Sequence, residues 1–306
     1  MKTNFLIFLI ISVSAFSLIS CQKSKSSDRE ARLIFKFKFD STQQRLNNLG
    51  QAANMPTNHA GQHPVFNNMA AHYIELAPSA TTPLGSGRVL YYADETTTGG
   101  TKAIDFEKEA VYGNNEEFFS IPLKDIATGE YNYLRVSLAY QNYSIKFQID
   151  TVIGGQIFKL ENTGTIASFI GFNTYLKSFK VKDKSVTVNG NRLQGYWAFE
   201  SLIPTPVGNV SYLVEGQAPA GSTTVPNPLA ATSPIPAGSC VVTGAFKNSK
   251  LKITGQETEN IIIEVSLSTN NSFEWEEVIA DGKWQPAKGE KVVDMGIRGM
   301  EARILQ

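Results

Sequence analysis

The stretch "RLIFKFKF", residues 32–39, places Leu33, Phe35, Phe37 and Phe39 on one side of an extended chain and Ile34, Lys36 and Lys38 on the other. Such period-two alternation marks a strand with one buried and one wet face. "LRVSLAY" repeats it, with Leu134, Val136, Leu138 and Tyr140 opposite Arg135, Ser137 and Ala139. "YSIKFQI" does so with Tyr143, Ile145, Phe147 and Ile149, and "IIIEVSLS" with Ile261, Ile263, Val265 and Leu267. One-sided strands of this kind belong to antiparallel sheets rather than to βαβ units, whose strands are apolar on both faces. Gly154-Gly155, just before "QIFKL", predicts a hairpin turn. The sole helical signal is weak, a short turn over residues 41–49 stopped by Gly50. The pattern predicts an all-β fold, a mostly antiparallel β-sandwich with one long Pro-rich loop.

That loop follows from proline placement. Residues 204–236 hold seven of the chain's 13 prolines, and "QAPAGSTTVPNPLAATSPIPAGS" has no apolar period. The organisation read from this is a leader at 1–20, a tether at 21–30, a main β-sandwich at 31–215, a Pro/Ala/Thr-rich loop at 216–238 and a smaller β segment at 239–306. The last is too small to be stable alone without disulfides and is expected to pack on the main part.

Charge excludes one class of partner. Basic and acidic residues balance at 28 each, and no basic stripe marks a nucleic-acid face. The two cysteines, Cys21 and Cys240, lie in very different settings. Cys240 has no free intramolecular partner if Cys21 is modified, and burial in a strand is its expected place.

Cys21 closes a leader. Lys2 precedes an apolar run at residues 5–18, too short for a membrane span of roughly 20 residues and suited to a secretory h-region. Leu18-Ile19-Ser20-Cys21 at its end resembles the lipobox of bacterial lipoproteins. The resemblance implies cleavage before Cys21, a diacylglyceryl group on its sulfur and an acylated amino terminus. Gln22, where an inner-membrane retention signal would place aspartate, points by the same resemblance to the outer membrane. The acid-poor tether points to the periplasmic face. Two further stretches, "FFSIPLKDIATGEYNYLRVSLAY" and "GYWAFE", are similar to passages of envelope β-sandwich lipoproteins, among them the MbnP-like proteins, a group linked in part to copper handling. The chain departs from some members in lacking paired cysteines, and no functional residue is carried over.

Candidate chemistry is sparse. His59, His63 and His72 are the chain's three histidines and fall close together, with Met55 and Met69 nearby. Imidazoles suit zinc or copper, and thioethers suit Cu(I), which makes the three histidines a candidate metal set. Gly61 and Pro64 exclude a shared helix face. Asp105, Glu107 and Glu109 read as one strand face, with Glu116 and Glu117 beyond it, but no calcium-loop motif accompanies them. Glu274 and Glu276 in "SFEWEEV" are the candidate pair for glycan hydrolysis, and they equally suit the wet side of a strand whose other side is Phe273 and Trp275. Among Trp197, Trp275 and Trp284, the last, beside the Asp281-Gly282 turn, is the candidate platform for a sugar ring. No G-x-S-x-G, P-loop or G-x-G-x-x-G motif occurs, so catalysis is not indicated. The function read from the sequence is a lipid-anchored envelope protein that binds a glycan or an envelope protein, without nucleic acid. The alternatives are a glycan hydrolase and a copper- or zinc-binding periplasmic lipoprotein.

Overall fold

The computed structural model describes residues 30–153, 155–205, 207–218 and 240–305. The leader, Cys21, the tether up to residue 29 and residues 219–239 of the Pro-rich stretch lie outside the described residues.

The fold is all-β. An 11-stranded sheet carries most of the described strand residues, and sheets of four, two and three strands accompany it. Its spine is Tyr133–Ile153, 21 residues long. One side of this strand pairs antiparallel with Val65–Ala77. The other side pairs first with Cys240–Lys247 and then with Gln156–Phe169. Tyr196–Thr205 and Gly208–Gln217 continue the sheet from Gln156–Phe169 to one end. In the opposite direction, Cys240–Lys247 passes over to Met300–Leu305, which leads through Ile261–Ser268 and Arg32–Asp40 to Glu117–Pro122. Residues 240–305 are thus interleaved with the first part of the chain. Three of their strands, Cys240–Lys247, Met300–Leu305 and Ile261–Ser268, lie between Arg32–Asp40 and Tyr133–Ile153 in one hydrogen-bonded path.

The alternating stretches make the core. Leu33, Phe35 and Phe37 are fully buried, as are Ile263, Val265 and Leu267. They share one cluster with Ile74, Leu76, Leu134, Val136 and Leu138 from the other section of the sheet, so the two sections enclose a common interior. Most pairings are antiparallel, but Arg32–Asp40 runs parallel to Ile261–Ser268 over eight registered pairs.

The long spine departs from its expected pattern in two ways. Arg135, Ser137 and Ala139 are buried rather than wet, because both faces of the strand are covered. Arg135 ion-pairs with buried Glu75 at 3.5 Å and donates to the Ala80 carbonyl at 2.9 Å, while Ala139 faces a second cluster roofed by Leu176, Phe179 and Val186. The second departure is a phase change. Ala70 pairs with Tyr140 and Ala71 with Leu138, so Ala139 is an extra residue on the spine. One extra residue exchanges the faces. Tyr140 therefore joins the second cluster, whereas Tyr143, Ile145 and Phe147 return to the core of Leu134 and Val136.

Two local readings also change. Residues 41–49 form bends instead of a helical turn. The Asp40 carboxylate accepts the Thr42 and Gln43 N–H groups, and the Asn47 side chain accepts those of Leu49 and Gln51, which competes with helix formation. Pro204 and residues 208–217 belong to a strand hairpin, so the Pro-rich stretch begins later than 216. The chain reverses between Ile153 and Gln156 as expected, with Gln156 facing Ile153 and Gly155 at φ 80.

Candidate functional site

The three candidate histidines occupy separate places. His59 begins the short strand His59–Gln62, beside Phe273–Glu276. Its Nδ1 lies 2.6 Å from Glu274 Oε1. His63 Nδ1 accepts the Asn271 N–H at 2.8 Å. His72 is fully buried on the spine's neighbour, with Nε2 3.2 Å from Glu95 Oε1. An extended chain advances about 3.3 Å per residue, so close sequence spacing scatters the three rings. Among the described residues, no group of three or more His, Cys, Asp or Glu side chains is placed to hold a metal. The histidines are joined to carboxylates and a backbone amide instead of to one another.

Glu274 and Glu276 are not a matched pair. Glu276 is exposed, whereas Glu274 is buried at the centre of an ion network. Glu274 Oε2 accepts Arg45 Nη2 at 2.5 Å and Arg298 Nη2 at 3.0 Å. Arg298 Nη1 also reaches Asp294 Oδ2 at 2.5 Å. Burial pushes the Glu274 carboxyl up, but His59, Arg45 and Arg298 together hold it below the ordinary range. An ionised carboxylate requires that His59 Nδ1 carry the proton of their hydrogen bond. A carboxylate held ionised by three partners has no proton to give, so Glu274 does not suit the acid role of such a pair. The network lines a recess of about 300 Å³ with Asn47, Asn54 and Val242.

Asp105, Glu107 and Glu109 do not share a strand face either. The strand ends at Asp105, and Phe106–Lys108 is a 3₁₀ turn. Glu109 is pushed up to about 8 by burial and by Asp94 and Asp105. Trp284 is half-buried, with its ring edge-on to Phe273 at 5.0 Å and near Phe147 at 6.3 Å. It closes the core margin rather than offering a platform. Trp275 is fully buried. Cys240 is buried in its strand, and burial pushes its thiol up to about 12.

A larger recess, about 480 Å³, involves none of the sequence candidates. It lies on the spine's outer face, where the four-stranded sheet stops covering it. The phase change at Ala139 turns Asn142 and Ser144 outward here, beside Thr165 and next to Asn67 and Asn68. Phe106, Tyr140, Phe179 and Val181 supply the apolar side. Asn67 Nδ2 donates to Asn142 Oδ1 at 2.7 Å, and Asn142 Nδ2 donates to the Val181 carbonyl at 2.8 Å. These bonds fix the amide orientations. Ser144 and Thr165 hydroxyls lie 3.4 Å apart, and Asn68 Oδ1 is buried without a partner among the described residues. The rim at Lys182 is set by buried Glu200, which accepts the N–H groups of Lys182, Asp183 and Lys184 at 2.9–3.0 Å. The sequence signal for this cleft was the doubled polar pairs Asn67-Asn68 and Gln141-Asn142 inside apolar strands.

No protein-family model matches the chain, and comparisons with curated proteins and with solved structures give no match.

Proposed function

We propose that this chain is a lipid-anchored, non-catalytic binding module of the cell envelope, and that the cleft around Asn142 takes a glycan. The observation that carries the reading is the cleft lining. Three asparagines and two hydroxyl side chains stand beside a ring-bearing apolar wall. Amides and hydroxyls pair with sugar hydroxyls as both donors and acceptors. Aromatic and aliphatic surface covers the C–H faces of the ring. The volume falls in the range of about 300–1,000 Å³ usual for ligand sites. Lys180 and Lys182 at the rim extend the ligand class to acidic sugars. The enclosed interior supports taking the two sections of the large sheet as the layers of a sandwich.

A glycan array with the purified mature protein, followed by calorimetry on the best oligosaccharides, tests the reading. Asn67→Ala removes an exposed amide and is expected to weaken binding about tenfold, the worth of one well-placed hydrogen bond. Lys182→Ala is expected to weaken acidic sugars selectively. Absence of binding, or affinity untouched by Asn67→Ala, refutes the glycan assignment.

Anchoring is tested separately. If Cys21 is acylated, Cys21→Ala abolishes labelling by an alkynyl fatty acid and moves the protein to the soluble fraction or leaves the precursor unprocessed. More than one chain is needed for firm anchoring, since each methylene contributes only about 0.8 kcal/mol. Mature, membrane-bound Cys21→Ala protein would be incompatible with it.

A further inference from the structure

Among the described residues, one end of the large sheet is an unprotected edge. Gly208–Gln217 pairs with Tyr196–Thr205 over ten registered residues without a shift, and among the described residues no strand pairs with its other side. Natural edges are blunted by lysine, proline, bulges or shortness. The opposite end, Glu117–Pro122, shows such devices. It is six residues long, has a register shift beside Phe35 and Lys36, and ends on proline. Gly208–Gln217 has ten residues with no lysine, arginine or proline. Its lone charge, Glu215, is engaged by the Tyr196 hydroxyl. Val210, Tyr212 and Leu213 are 53%, 47% and 40% exposed, and Leu202 on the adjoining strand is 54% exposed.

We propose that this edge is where two copies of the chain pair, antiparallel, about a two-fold axis through Tyr212. Continuing a sheet across such an axis keeps like faces together only if opposed residue numbers have the same parity. Centring on Tyr212 meets that condition. Val210 then faces Val214 of the second copy, Ser211 faces Leu213, and Tyr212 faces itself. Glu215 is opposite Asn209, so the strand's lone charge never meets its own image. Directly opposed like charges would weaken such a pair, and aromatic and β-branched pairs strengthen it. A formally neutral chain, with 28 basic and 28 acidic residues, adds no long-range repulsion between copies. An acidic or basic partner strand would find no countercharge here. A second copy sets valine against valine at 210 and 214, tyrosine against tyrosine at 212, and Glu215 against an uncharged amide.

Sedimentation equilibrium on the mature chain carrying Cys21→Ser, which removes only the acyl group, reads the state directly. A reversible dimer is expected, and Val210→Lys or Leu213→Lys is expected to weaken it at least tenfold with unchanged circular dichroism. Both side chains are exposed in the monomer, so neither substitution needs to disturb the core. Tyr212→Cys is expected to give a covalent dimer under a mild oxidant, and Thr187→Cys, on a strand outside the proposed interface, is not. Buried Cys240 stays out of this reaction. A protein monomeric to about 100 µM, the weak end of specific association, overturns the proposal. A dimer indifferent to both lysine substitutions and uncrosslinked at 212 overturns it equally.

Discussion

Replacing Glu274 with alanine is expected to lower the unfolding free energy by about 3–5 kcal/mol, the usual result of breaking a buried ion pair from one side. Arg45 and Arg298 side chains are only 12% and 14% exposed, and both depend on the same carboxylate oxygen. Arg298 keeps Asp294, and Arg45 keeps the Asn270 and Asn271 carbonyls, but neither retains Glu274 as a countercharge. His59 loses its partner as well. Glu274→Gln preserves shape and part of the hydrogen bonding, and its loss is expected to be smaller. Urea denaturation of the two variants checks the order. The pH dependence follows from the lowered carboxyl. A group whose folded value is depressed stabilises above its unfolded value, about 4.3 for glutamate, and that stabilisation fades as pH falls through the folded value. The gap between wild type and Glu274→Gln is therefore expected to be full at pH 7 and to shrink below pH about 4. An equal gap at both pH values would show that the carboxylate's charge contributes nothing.

Trp275→Ala is expected to cost about 3–5 kcal/mol, through lost burial and the cavity left behind. The ring is fully buried and packs against Phe273 at 6.1 Å. Its Nε1 meets no acceptor among the described residues. An unsatisfied buried donor is itself destabilising, so Trp275→Phe removes a penalty along with some contact and is expected to cost much less than alanine. Thermal and urea unfolding of both variants give the comparison. Phenylalanine as harmful as alanine would mean that the indole N–H is satisfied after all.

Alternation in the sequence was a faithful guide where one face meets the core and the other meets water, as at Leu33, Phe35 and Phe37. It failed along residues 134–140 because the small sheet and the Glu75–Arg135 pair cover the second face, which erases the polar contrast. The bulge at Ala139 left no mark in residue type, since alanine suits either face. Nor does alternation say which strands are neighbours, so the parallel pairing of Arg32–Asp40 with Ile261–Ser268 was not legible. At the candidate sites, sequence proximity misled for the histidines, because strands spread neighbours apart. Glu274 was singled out for the wrong chemistry, because its partners Arg45, His59 and Arg298 come from three distant segments. The cleft amides Asn67, Asn68 and Asn142 match no motif, and strand pairing, which the sequence does not specify, is what brings them together.

The interleaving of the two chain ends bears on how the molecule is made. Arg32–Asp40 is held on one side by Glu117–Pro122 and on the other by Ile261–Ser268, more than two hundred residues downstream. Closing so long a loop carries an entropic cost that local contacts do not repay in advance, and such topologies fold slowly. During synthesis, Arg32–Asp40 waits with one flank open until residue 268 has emerged. A chain with this wiring closes its large sheet only after nearly all of it has been made.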